Sequence, residues 1–171
     1  MPSSAESSWP APFGIREFPY QLHRLSKHCL AFVEPHGLSN VGVVESDEGL
    51  LLIDSTIHPY FIQEMLKQLR RALSKPILYL LNTHFHRDHT FGNLYVEVEV
   101  GHVAHALCSE YFERYAEGLR SEYEPFHPGL GLRSPTIVFP DSSYVVPDFS
   151  PEVHVHLIGG HTHDSCYVHV P

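Results

Sequence analysis

A chain of 171 residues that is 43% hydrophobic can bury one core and falls in the size range of single domains. Its formal charge of −9, with only 11 Lys and Arg, argues against a nucleic-acid partner, because phosphate binding draws its affinity from clustered cations. No apolar run approaches a membrane span, residues 1–20 lack a basic segment followed by an apolar one, and the three cysteines are scattered and odd in number. The expectation is a cytoplasmic protein with reduced thiols.

Residues 1–20 are rich in Ser and Pro and read as a flexible leader, with the folded domain in 21–171. Short strands are expected over 28–33, 41–45 and 50–53, separated by turn residues. Phe61, Ile62, Met65, Leu66, Leu69, Ala72 and Leu73 then recur at helical spacing, with Glu64, Lys67, Arg70 and Arg71 largely opposite, which predicts an amphipathic helix closed by Pro76. The apolar run 77–81 predicts a buried strand. Another strand is expected over 96–100 and a second helix over 104–118, where Leu107, Tyr111, Phe112 and Tyr115 are assigned to packing. Gly129, Gly131 and three prolines leave 119–135 without regular structure, a candidate substrate lid. Strands close the chain at 136–139, 143–146, 152–157 and 166–170. His154 and His156 share one solvated strand face, and Cys166 reads as a packed thiol.

The most informative stretch follows the 77–81 run: Asn82-Thr83-His84-Phe85-His86-Arg87-Asp88-His89. Three histidines and an aspartate in six residues supply the nitrogen and carboxylate ligands that divalent zinc and iron favour. Residues two apart point the same way in an extended segment, so His84 and His86 can grip one ion. Asp88 and His89 lie just beyond, placed for a second.

This pattern resembles the His-x-His-x-Asp-His motif of the metallo-β-lactamase superfamily. Gly159-Gly160-His161-Thr162-His163-Asp164-Ser165 looks like that family's second metal motif, and Gly49 to Thr56 is similar to the strand that ends in an aspartate beneath its metal site. The resemblance runs from about residue 29 to 171, with Phe91 standing where a second glycine is common. It implies an α/β fold, a metallo-β-lactamase-like αββα sandwich. His84, His86 and His161 would hold the first ion, and Asp88 and His89 would begin a second site. Asp54 would orient a ligand through hydrogen bonds. His163 and Asp164 are further candidates, Asp164 for tying down the His161 turn through backbone hydrogen bonds.

The resemblance also implies chemistry: zinc, as one or two ions, lowers the pKa of a bound water from about 15.7 to about 7 and so supplies hydroxide at neutral pH. Attack on an ester, thioester, lactone or lactam of a small-molecule substrate follows, with Asp88 orienting the nucleophile and handling its proton. An iron-dependent persulfide oxidation on the same fold is the alternative enzyme reading. The family pattern calls for a bridging acid and a late histidine beyond residue 171. The sequence therefore reads as a domain incomplete at its carboxyl end, with a homo-oligomer that completes the sheet, a one-ion enzyme, or a metal-binding but inactive fragment as the other readings.

Overall fold

The computed structural model describes residues 18–35, 37, 39–97, 99–124 and 132–171. Four antiparallel strands come first: β1 Gln21–Arg24, β2 Cys29–Val33, β3 Val41–Glu45 and β4 Leu50–Ile53. Helix α1, Pro59–Leu73, then crosses over to β5, Ile77–Leu81, which runs parallel to β4. Strands β6, Gly101–His105, and β7, Ile137–Phe139, extend the parallel half, so one seven-stranded sheet reads β1 to β7 in order. Between β5 and β6 lie a one-turn helix α2, Arg87–Thr90, and a 3-10 turn, Phe91–Tyr95; helix α3, Ala106–Tyr123, follows β6. A second, antiparallel sheet has the order β10-β9-β8, from β8 Ser143–Val145, β9 His154–Leu157 and β10 Cys166–His169.

Two apolar layers account for this arrangement. The α1 stripe of Phe61, Ile62, Met65, Leu66 and Leu69 buries against Phe32, Val43, Leu50, Leu52 and Leu80 on one face of the large sheet. The other face, with Val44, Leu51, Leu81 and Val103, packs on Val155 of the small sheet and on Val153 just before it. Leu50, Leu51 and Leu52 are all buried, as a strand covered on both faces requires. His58 caps α1, its Nδ1 accepting from the Tyr60 amide at 3.2 Å, with Pro59 in the first turn. The helix ends at Ser74 in a left-handed conformation, φ 52°, so the stop precedes Pro76.

Several boundaries differ from the sequence reading. Tyr20 is buried in the core and Phe18 packs against it, so the leader does not extend to residue 20; residues 1–17 lie outside the described ones. The described residues 96, 97, 99 and 100 form bend and turn rather than the expected strand, with residue 98 outside the described ones, and the ladder starts at Gly101. Arg133 is the physical reason: its guanidinium donates to the carbonyls of Val96, Glu97 and Val100 at 3.0, 2.8 and 2.6 Å, which turns those groups away from a sheet. Helix α3 begins two residues later than expected, capped by His105 Nδ1 accepting from the Leu107 amide at 3.1 Å, and continues to Tyr123. It takes over the start of the expected lid, of which residues 125–131 lie outside the described ones. No helix among the described residues is long and apolar enough to cross a membrane.

Candidate metal centre

The histidine motif leaves the carboxyl end of β5, where loops of a parallel sheet gather ligand groups. Asn82, buried at the first step, anchors it: Nδ2 donates to the His89 carbonyl at 3.0 Å, while Oδ1 accepts from Asn93 Nδ2 at 2.8 Å and lies 2.6 Å from His102 Nε2. Ser55 closes the network, its hydroxyl reaching Asn93 Oδ1 at 2.6 Å and the His89 carbonyl at 3.1 Å. The turn is tight enough that a Cβ on Gly92 would lie 1.9 Å from the Ser55 carbonyl oxygen. Glycine is therefore required at 92, while Phe91 beside it is buried. Asp54 and Thr56, at the end of β4, both hold positive φ, 66° and 70°, a costly conformation for a β-branched residue and one that gathers at functional sites.

The second motif meets the first across the two sheets. The Cys166 amide donates to the Thr83 carbonyl at 2.9 Å, and Gly159 and Gly160, both at positive φ, turn the chain toward the histidine loop. As a result the ligand nitrogens of His84, His86 and His161 lie within 4.8 Å of one another, the only such group of three among the described residues. Their ring centroids are 4.8, 5.0 and 4.7 Å apart. His86 Nδ1 and His161 Nε2 are 2.9 Å apart. Thr83 Oγ1 sits 3.0 Å from His84 Nδ1, while His84 Nε2 is buried without a partner. Burial holds the His84 pKa down to about 4, and burial followed by His161 lowers that of His86, so both offer lone pairs at neutral pH. A buried lone pair that nothing in the protein satisfies, converging with two other imidazoles, fits a divalent cation of the zinc type.

Asp88 and His89 stand beside this group and face each other, His89 Nε2 lying 3.3 Å from Asp88 Oδ2. Asp54 holds the far side of the His89 ring, Oδ2 to Nδ1 at 2.7 Å, and accepts from the Thr83 amide and hydroxyl at 2.9 and 2.8 Å. Burial disfavours the His89 cation, but the hydrogen bonds to Asp54 and then Asp88 outweigh it and raise its pKa to about 10. Asp88, bonded to His89, is lowered to about 2. Without an ion, His89 is thus a proton clamped between two carboxylates; as a ligand it would have to release that proton.

His163 is exposed and outside the three-histidine group. Asp164 departs from expectation: it is 0% exposed and neither oxygen meets a backbone donor of the His161 turn, so it does not tie that turn. Thr162 and Ser165 do that, through Thr162 N to Ser165 Oγ at 3.0 Å and Ser165 N to the Thr162 carbonyl at 3.2 Å. The Asp164 carboxylate lies instead near the Cys108 and Cys166 thiols. Burial, then that charge, pushes Cys108 well above the usual thiol range and Cys166 up to about 12. Cys166 packs against the inter-sheet core, and all three cysteines are free.

The supporting network of Ser55, Asn82, Asn93 and His102 was not readable as such. Only the position of Asn82 directly before the motif hinted at it; the others lie elsewhere in the chain and carry no spacing signal.

Comparison with known proteins agrees with this geometry. The sequence profile of the metallo-beta-lactamase superfamily matches residues 35–171. Among solved structures, the metallo-beta-lactamase from Pontibacter korlensis superposes with a TM-score of 0.69 at 20% identity, over 89% of this chain and 67% of that one. DIM-1 metallo-beta-lactamase gives 0.69 at 16% identity, over 89% of this chain and 65% of its own, and the same enzyme exposed to ceftazidime gives 0.70 at 16%, over 91% and 67%. No curated protein sequence matches the chain significantly. The chain thus spans about two thirds of the length of these structures and shares their fold. With the profile covering most of its residues and both metal motifs brought together, the chain belongs to the metallo-β-lactamase superfamily.

Proposed function

We propose that the protein is a zinc-dependent hydrolase acting on an ester, thioester, lactone or lactam bond of a small molecule. The observation that carries this reading is the unpartnered, buried Nε2 of His84, converging with nitrogens of His86 and His161. A zinc ion held by those three side chains would acidify water and polarise a carbonyl oxygen. The protein's own groups do the rest. Asp88, anionic at neutral pH and bordering a cleft of about 260 Å³ lined by Phe85, His86, Arg87 and Asp88, would accept a proton from water and orient it. His89 fixes the Asp88 carboxylate from one side, and the Ser39 hydroxyl donates to the Asp88 carbonyl, which restrains its backbone. Asp54 in turn keeps His89 and Thr83 in register.

The test pairs metal content with turnover. Zinc-loaded protein is expected to hydrolyse at least one member of a panel of esters, thioesters, lactones and lactams, and to lose that activity with a chelator. Asp88→Asn should keep zinc at the three-histidine site while turnover collapses, by about 100-fold or more if proton handling is its role. Equal turnover by the variant would remove Asp88 from the mechanism. Protein that isolates with iron and consumes oxygen with a persulfide would overturn the hydrolase reading.

A further inference from the structure

The sequence assigns the aromatic residues of α3 to packing, but the structure divides them. Cys108 and Phe112 are buried, whereas Tyr111 is half-buried and Tyr115 is 48% exposed. Tyr111 and Tyr115, four apart on one helix face, do not cover the core. They meet Phe85, the residue between the ligands His84 and His86. Phe85 stacks on Tyr115 with centroids 5.7 Å apart and planes 19° apart, and lies 5.3 Å from Tyr111 with the planes tilted by 40°. Tyr111 and Tyr115 are themselves near parallel, at 6.4 Å and 24°. Arg114 lies 5.7 Å from the Tyr111 ring centre and pairs with Glu110 at 2.7 Å, which steadies that end of the cluster.

Two features tie this cluster to the metal centre. Phe85 lines the same cleft as His86 and Asp88, and its ring centroid is 4.8 Å from that of His86. A cluster of three rings, near parallel at Tyr115 and tilted between Phe85 and Tyr111, partly open to solvent and reaching His86, is a surface on which another flat ring gains stacking energy. An aliphatic acyl chain would gain contact area there but no ring alignment.

Building on the hydrolase reading, we propose that Phe85, backed by Tyr111 and Tyr115, is the stacking surface for an aromatic ring that the substrate carries within a few bonds of its scissile carbonyl. The favoured substrate class is then aryl-acyl esters or thioesters rather than short aliphatic ones. Phe85 touches the substrate, and the two tyrosines position Phe85.

Two measurements test it. The first is binding of phenylacetate against acetate to zinc-loaded protein by saturation-transfer NMR, which needs no turnover. Phenylacetate should bind through its ring, and Phe85→Ala should weaken it about three- to tenfold, the range of one aromatic stacking contact. Tyr115→Ala, at an exposed position whose loss does not threaten folding, should weaken it in the same direction. Phe85→Leu, which keeps bulk but not the ring, should fail to restore it. The second is the ratio of kcat/KM for phenylacetyl and acetyl thioesters of one thiol, which should fall in each variant through KM. Absence of phenylacetate binding, or an unchanged ratio in both Phe85→Ala and Tyr115→Ala, overturns the proposal. Ring-dependent binding that Phe85→Ala weakens, with no hydrolysis of either thioester, upholds the subsite and counts against the hydrolase reading instead.

Discussion

Asp54→Asn isolates the charge that organises the centre. Asparagine tolerates the left-handed backbone at this position and has nearly the same shape, so neither strain nor a cavity enters. What changes is the acceptor set: Asp54, 4% exposed, takes hydrogen bonds from the Thr83 amide, the Thr83 hydroxyl and the protonated His89 ring. An amide has only one oxygen to offer and turns an N–H toward a donor. The rise of the His89 pKa to about 10 corresponds to on the order of 4 kcal/mol of proton-linked stability at pH 7, shared between Asp54 and Asp88. Asp54 contributes the shorter contact, 2.7 against 3.3 Å. The metal-free variant should therefore lose about 2–3 kcal/mol, within the range for a charged partner removed from a buried pair. Urea unfolding in chelator at pH 7, followed by far-UV circular dichroism, measures this. Zinc affinity, read by competition with a chromophoric chelator, should fall about 10- to 100-fold as the ligand loop loses its anchor. The stability gap should also narrow as pH approaches 10, where wild-type His89 gives up its proton. A loss under about 1 kcal/mol together with an unchanged zinc titration would refute the assignment of Asp54 as the organiser of this loop.

Three other outcomes follow from the same geometry. His86→Ala should abolish stoichiometric zinc binding, because two remaining imidazoles leave the ion half-ligated; retained zinc by elemental analysis would count against the site. The metal-free protein should be most stable near pH 6.5: His84 and His102, both held near 4 by burial, cost stability as pH falls from 6.5 toward 4, since the unfolded chain takes up the protons. His89, raised to about 10, loses its contribution as pH rises from 6.5 toward 10; thermal midpoints across this range that stay flat on both sides would contradict those protonation states. Gly92→Ala should destabilise by about 3 kcal/mol or more, because its Cβ meets backbone at 1.9 Å rather than a side chain that can move; a melting temperature equal to wild type would show that the loop can shift at little cost.

The parts of this molecule that sequence discloses are those in which one residue type does one local thing. The α1 stripe, the apolar run of β5 and the histidine cluster all announce themselves by period or chemistry. The misreadings share a different cause. Alternating Val and Glu over 96–100 carry strand character, but a guanidinium from residue 133 competes for their carbonyls. Tyr111 and Tyr115 look like core because helical spacing cannot say which of two apolar faces meets the sheet. Asp164 looks like a turn-former because carboxylates commonly are; its side chain turns inward, toward cysteines brought there only by tertiary packing. That His84, His86 and His161 converge was expected by resemblance. What aligns them, the Asn82, Asn93, Ser55 and His102 network, exists only once distant segments meet.

The single hydrogen bond from the Cys166 amide to the Thr83 carbonyl has a bearing on how the molecule assembles. His86 follows β5 of the large sheet and His161 lies between β9 and β10 of the small one, 75 residues further along the chain, so no ribosome-bound intermediate that lacks residue 161 can present all three imidazoles. Zinc would then act late, as a latch that closes after the sheets dock rather than as a seed for either. Its binding energy would go to holding the two layers together, a contribution that grows with the logarithm of the free metal concentration. Chelation should accordingly loosen the contact between the sheets before it melts either one, and amide exchange at Cys166 would be the first place to see the seam open.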